Sequence, residues 1–136
     1  MAVMKMPRFM ISATGSGCGK TTITCGILKA LMNKDLKVAA FKSGPDYIDP
    51  MFHSKVIGAK SRNLDVFMLG KETVRFLAAK NASDVDVSVF EGAMGFYDGM
   101  GKTAEASAYD LGRTCDVPVI LIVNGKGAAL SIAAQI

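Results

Sequence analysis

Apolar positions along this chain fall alternately into short runs and helical stripes. Phe9-Met10-Ile11 is a compact apolar run that ends in small residues and predicts a first strand. From Lys20 to about Asn33, Ile23, Ile27, Leu28 and Leu31 share one helical face. Lys37–Phe41 predicts a second strand. The stretch from Gly44 to Pro50, with two prolines and two aspartates, predicts a loop. Val74, Leu77 and Ala78 mark a helix from about Lys71 to Asn81. Val85–Phe90 predicts a third strand running into a glycine-rich loop, Gly92–Gly101, after which Ala104, Ala108 and Leu111 suggest a third helix. Val117–Val123 is the strongest strand signal, a β-branched run of the kind found in sheets buried on both faces. The final segment, Ala128–Ile136, is apolar, reads as helical and has no C-cap signal. Strand and helix in alternation imply right-handed βαβ units around a mainly parallel sheet, an α/β three-layer fold. Four predicted strands and an uncapped last helix lead us to expect a truncated domain.

Composition narrows the function. The chain has 136 residues, half of them apolar, which suits one packed domain. No window approaches the ~18 apolar residues of a membrane span, and no apolar stretch precedes Pro7 as a secretory leader would require. A cytoplasmic location and no membrane partner are expected. The formal net charge of +4 comes without a Lys/Arg run, which argues against nucleic acid and suits a small anionic ligand. Three cysteines, Cys18, Cys25 and Cys115, with no CxxC pair, read as reduced thiols.

The candidate chemistry lies in the loops after the strands. Thr14, Gly15, Ser16, Gly17, Cys18, Gly19, Lys20, Thr21 and Thr22 follow a strand and open a helix, the context in which a glycine loop cradles phosphates. Lys20 would reach the β- and γ-phosphates, and the Thr21 hydroxyl would join a Mg²⁺ shell. The usual pattern has Gly where Thr14 stands, and Gly15 is its neighbour. Lys42, Asp46 and Asp49 lie just past the second strand, at the rim where open α/β sheets bind ligands. Two carboxylates three residues apart can serve a hard cation, although Gly-Pro-Asp is also ordinary turn chemistry. Glu91 ends the third predicted strand, where P-loop enzymes place a second Mg²⁺ contact. Asp98 lies in the second glycine loop and also suits an Asp-Gly turn. His53, the single histidine, has no obvious metal partner and stays open.

Taken together, Ala-Thr-Gly-Ser-Gly-Cys-Gly-Lys-Thr-Thr, Phe-Lys-Ser-Gly-Pro-Asp-Tyr-Ile-Asp-Pro and Glu-Gly-Ala-Met-Gly-Phe-Tyr-Asp-Gly resemble the cobyrinate a,c-diamide synthase family. The resemblance runs from about Arg8 to the last residue and implies the P-loop NTPase fold. Its implied activity is ATP- and glutamine-dependent amidation of the a and c carboxylates of cobyrinate or hydrogenobyrinate in cobalamin biosynthesis. The implied cofactors are ATP and Mg²⁺, with Thr21, Asp46 and Glu91 at the metal. Lys20 and Lys42 would surround the transferring phosphoryl group. Asp49 and Asp98 match positions for metal binding or substrate activation, and Tyr47 lies where substrate passes. Asn124 departs from the Asp of many members. The family's glutaminase domain, with its Cys-His-Glu triad, has no counterpart in these 136 residues, so ammonia would have to come from that further domain. A homodimer is a possible assembly. Two alternatives stand beside this reading. One is amidation of another tetrapyrrole such as Ni-sirohydrochlorin. The other is a MinD/ParA-like regulatory or partitioning ATPase, against which the absence of a lysine at Gly15 and the presence of Lys42–Pro50 both count.

Overall fold

The computed structural model describes residues 5–46 and 48–136. Tyr47, the expected substrate contact, lies outside the described residues. Five parallel strands form one sheet in the order β3-β2-β4-β1-β5. They are β1 (Arg8–Ala13), β2 (Val38–Ser43), β3 (Lys60–Leu64), β4 (Val87–Glu91) and β5 (Val119–Ile122). The longer helices are α1 (Lys20–Met32), α4 (Lys71–Ala82) and α5 (Ala108–Cys115), and the short ones are α2 (Ile48–Phe52) and α3 (Val66–Leu69).

The period-two pleat explains why the inner strands are apolar on both faces. Met10, Phe41 and Phe90 point to one side and pack with Leu64, Val74, Ala78 and Leu111. Their neighbours Ile11, Ala40 and Val89 point to the other side and pack with Leu28 of α1. Phe41 and Phe90, opposite each other in register, stack at 4.8 Å between ring centroids.

Several boundaries differ from the sequence-based expectation, and two of the differences matter for chemistry. β2 runs on to Ser43 and β4 to Glu91, so Lys42 and Glu91 belong to strands and are held in their register. β3 was not foreseen. Its sequence, Lys-Ser-Arg-Asn-Leu, carries no apolar run, and pairing with β2 specifies it instead. The expected loop to Pro50 gives way to α2 at Ile48. Asp46 Oδ1 accepts from the Ile48 N–H at 2.9 Å, and Pro50 falls in the first turn, where its missing N–H costs little. α5 starts at Ala108 rather than near Ala104, because the Ser107 side chain caps it by accepting from the Asp110 N–H at 3.2 Å.

β5 is shorter than Val117–Val123 and is not buried on both faces. It forms one edge of the sheet, with Val119 36% and Ile120 53% exposed. The expected terminal helix is a 3₁₀ turn, Leu130–Gln135, with no buried residue. Among the described residues, no helix is long and apolar enough to cross a membrane.

Candidate active site

The site is assembled by strand register. Lys42 of β2 and Glu91 of β4 are paired positions at the carboxyl ends of adjacent strands, and Ile11 of β1 flanks Glu91 on the other side. Lys42 Nζ therefore lies 3.0 Å from Glu91 Oε1. It also lies 2.9 Å from Asp49 Oδ2 and 3.9 Å from Asp46 Oδ2, and donates to the Gly92 carbonyl at 3.3 Å.

From the neighbouring glycine loop, Thr21 Oγ1 is 2.7 Å from Glu91 Oε1 and 3.2 Å from Asp49 Oδ2. Gly17 and Gly19 take left-handed conformations, at φ +74° and +89°, which let the loop turn into α1. Lys20 folds back over this loop and donates to the Gly15 carbonyl at 3.1 Å. Thr14 is tied to the sheet by its N–H, which donates to the Ile122 carbonyl at 3.2 Å. Ser16 and Thr22 are exposed, and Cys18 is half-buried.

Electrostatics follow from this packing. Burial pulls the Lys20 ammonium below the usual lysine range, and the nearby Lys42 charge adds to the effect. Burial also disfavours a charged Lys42, but Glu91 and Asp49 outweigh it and hold that ammonium above its usual value. Burial would raise Glu91, yet contacts from His53, Thr21 and Lys42 hold its carboxyl below the usual range. Asp49 behaves in the same way, with burial outweighed by its hydrogen bond and charge contact to Lys42. The result is a compact charged cluster, buried at Lys42 and Glu91 and partly open at Asp46 and Asp49.

Of the residues singled out in the sequence, Thr21, Lys42, Asp49 and Glu91 converge directly. Asp46 joins through one oxygen and uses the other to cap α2. The unforeseen strand β3 holds that loop in place, because the Asn63 side-chain amide donates to the carbonyls of Gly44 and Asp46. Asp98 is not brought into the Lys42 cluster. Its carboxylate accepts from the Gly95 N–H at 2.8 Å and closes its own loop. That loop is in turn fastened to β1 by the Phe96 N–H, which donates to the Ala13 carbonyl at 2.8 Å.

Sequence reasoning left His53 open, and the structure buries it completely, with Nε2 3.3 Å from Glu91 Oε2. The signal was its spacing: Asp49 and His53 are four residues apart, and four residues along a helix return to the same face.

The oxygen donors suit a hard cation. Thr21 Oγ1, Asp49 Oδ2 and Glu91 Oε1 lie together, with Asp46 Oδ2 on the same Lys42 ammonium, and Mg²⁺ typically uses one or two carboxylates plus substrate phosphates rather than a full protein cage. Among the described residues, no group of three or more His, Cys, Asp or Glu side chains is arranged to hold a metal ion.

Beside this cluster is a cavity of about 530 Å³ lined by Phe67, Met68, Met94 and Met100, and by Asp46 and Asp98. A larger cleft of about 680 Å³ between α4 and α5 contains neither the glycine loop nor the Lys42 cluster.

A parallel sheet whose first strand feeds a glycine loop and a Lys-Thr helix start defines a P-loop nucleotide-binding protein. The fold agrees with that of the signal recognition particle receptor FtsY from Elizabethkingia anophelis. The match has a TM-score of 0.66 at 18% identity and covers 96% of this chain and 46% of FtsY. Its GDP complex matches with a TM-score of 0.67, also at 18% identity, over 99% of this chain and 46% of that one. The chain belongs to the CobQ/CobB/MinD/ParA nucleotide binding domain family, whose model matches residues 9–124. It is similar to the cobyrinate a,c-diamide synthase of Thermoplasma volcanium, at 49% identity over 96% of this chain and 29% of the relative. The synthase of Caldanaerobacter subterraneus is 46% identical over 94% of this chain and 28% of the relative, and that of Salmonella typhimurium 43% over the same shares. The chain thus spans under a third of the length of these relatives.

Proposed function

We propose that this chain is the ATP-binding part of a carbon–nitrogen ligase that amidates carboxylates of a tetrapyrrole, as the name of its relatives, cobyrinate a,c-diamide synthase, suggests. The observation that carries the reading is the placement of Lys42 and Asp49 against Thr21 and Glu91, beside the glycine loop. A nucleotide-binding loop alone does not need a second lysine in a carboxylate cage. A phosphoryl-transfer site does, because charge on the moving group must be met from several sides.

A carboxylate is a poor acyl donor until its oxygen becomes a leaving group. In the proposed reaction a substrate carboxylate takes the γ-phosphoryl group of ATP and releases ADP. Ammonia then attacks the carbonyl carbon, phosphate departs, and the nitrogen loses a proton. Lys20 would hold the β- and γ-phosphates, and Lys42 would face the transferring group. Thr21, Asp46 and Glu91 would hold Mg²⁺, which when bound neutralises phosphate charge. Asp49 would orient Lys42 through their 2.9 Å contact. Asp98, at the rim of the Met-lined cavity, would meet the substrate. That cavity suits the flat apolar face of a macrocycle, and Tyr47 would contact the substrate, as the family resemblance implies. Ammonia would come from glutamine hydrolysis outside these residues, in the cytoplasm.

The test is calorimetric titration with ATP and Mg²⁺. Lys20→Ala should weaken ATP binding by roughly 10- to 100-fold, the loss expected for charge-assisted hydrogen bonds of about 1.5–3 kcal/mol. Asp46→Asn and Glu91→Gln should each raise the Mg²⁺ concentration needed for tight ATP binding. Equal ATP affinity in Lys20→Ala and the parent would sink the phosphate-loop assignment.

A further inference from the structure

Glu91 is buried without solvent contact and has two chemically distinct sides. Oε1 faces the glycine loop and meets Thr21 Oγ1 at 2.7 Å and Lys42 Nζ at 3.0 Å. Oε2 faces away from them and meets His53 Nε2 at 3.3 Å, a close contact without hydrogen-bond alignment. Neither ring nitrogen of His53 has another hydrogen-bond partner, and the side chain is 0% exposed. A buried imidazole with no alternative partner costs stability unless it serves a neighbour.

The backbone around His53 is fixed. α2 passes at His53 into a π-helical turn, His53–Ile57, a rare geometry that recurs at functional sites. The His53 carbonyl accepts from the N–H of Gly58, which is left-handed at φ +86°, and from that of Ala59 at 2.9 Å. One helix face thus delivers two groups to the cluster: Asp49, which meets Lys42 and Thr21, and His53, which meets the far side of Glu91.

We infer that His53 is a positioning residue: by holding Glu91 Oε2 from behind, it turns Oε1 toward Thr21 and Lys42 and sets the carboxylate for a divalent cation bound with nucleotide. The inference rests on the proposed Mg²⁺ role of Glu91. In this role His53 touches neither nucleotide nor metal. It acts through Glu91, as outer partners of metal ligands do elsewhere, where their loss costs about 10- to 100-fold in metal affinity.

The test uses the 136-residue chain, a non-hydrolysable ATP analogue and Mn²⁺ as probe, with bound Mn²⁺ read by electron paramagnetic resonance. His53→Leu keeps the side chain's bulk and removes its nitrogens. It should weaken Mn²⁺ binding by about 10- to 100-fold while leaving metal-free analogue affinity unchanged. His53→Gln, which returns an N–H donor near Nε2, should recover most of the loss. In the ¹⁵N-labelled parent fold, Glu91→Gln should move the His53 Nε2 resonance, a readout that does not depend on a His53 variant folding. Unchanged Mn²⁺ affinity in folded His53→Leu, equal loss in the Leu and Gln variants, or an unmoved Nε2 resonance would each overturn the inference. Unchanged Mn²⁺ affinity in Glu91→Gln would instead overturn the metal site itself, and this inference with it.

Discussion

Replacing Lys42 by methionine isolates what holds the centre of the site together. The stem keeps its length and apolar character, and only the ammonium is lost. Four acceptors then lose a donor or an ion partner: Glu91 Oε1, Asp49 Oδ2, Asp46 Oδ2 and the Gly92 carbonyl. Asp46 and Asp49 retain side-chain exposure of 33% and 19%, so water can take over part of their solvation. Glu91 has none and would be left with Thr21 and His53 alone. Breaking a buried pair by removing one partner costs about 3–5 kcal/mol. The partly open rim places Lys42→Met near the lower end, at about 3 kcal/mol, which for a domain of this size is a fall of roughly 10 °C in Tm. Lys42→Met/Glu91→Gln should be more stable than the sum of the single effects by over about 1 kcal/mol, because the second change removes the stranded charge.

The effect also has a pH signature. Without Lys42, burial of Glu91 meets less opposition and its carboxyl moves upward. Protonation then relieves the penalty, so the gap between parent and variant should narrow on going from pH 7.5 toward pH ~5. Urea denaturation followed by circular dichroism at the two pH values measures both quantities. A gap below about 1 kcal/mol at pH 7.5, or one of the same size at both pH values, would refute the reasoning.

Other outcomes follow from the same geometry. A Cβ at Gly92 would stand 2.6 Å from Ser12 Oγ and 3.0 Å from Ala108 Cβ, so Gly92→Ala should cost about 1–3 kcal/mol by overpacking, read as a lower Tm. Gly15→Ala, where a Cβ meets nothing within 4 Å, should leave Tm near the parent value. In the unaltered chain Asp49 and Glu91 are held below their ordinary values of 3.8 and 4.5. The unfolded chain therefore binds more protons in acid. Their stabilisation should be present above those values and be lost as pH falls through the folded ones, and Glu91→Gln should flatten that limb of a urea-midpoint profile. Ile120, 53% exposed on the edge strand β5, should promote association, so sedimentation should show less self-association in Ile120→Lys than in the parent.

Much of the site was written into the sequence because its signals are local. Glycines before Lys20 and Thr21 specify a loop between a strand and a helix whatever the rest of the chain does. The apolar runs of β1, β2 and β4 fix the parallel sheet, because their apolar side chains are buried on both faces, and Lys42 and Glu91 come only at the carboxyl ends. What the sequence could not supply was long-range. β3 has no apolar run and exists because β2 offers it an edge, yet its Asn63 pins the loop that carries Asp46. Asp98 and Asp46 were equally plausible as ligands or turn residues. In the fold Asp98 accepts from the Gly95 N–H of its own loop while lining the Met-rich cavity, and Asp46 is divided between a helix cap and Lys42. β5 has the most apolar strand signal and lies at the exposed edge, since burial depends on neighbours and not on the strand's own composition. His53 carried only a spacing. Its meaning depends on the 37 residues between it and Glu91, across which only tertiary packing decides that one imidazole faces one carboxylate oxygen.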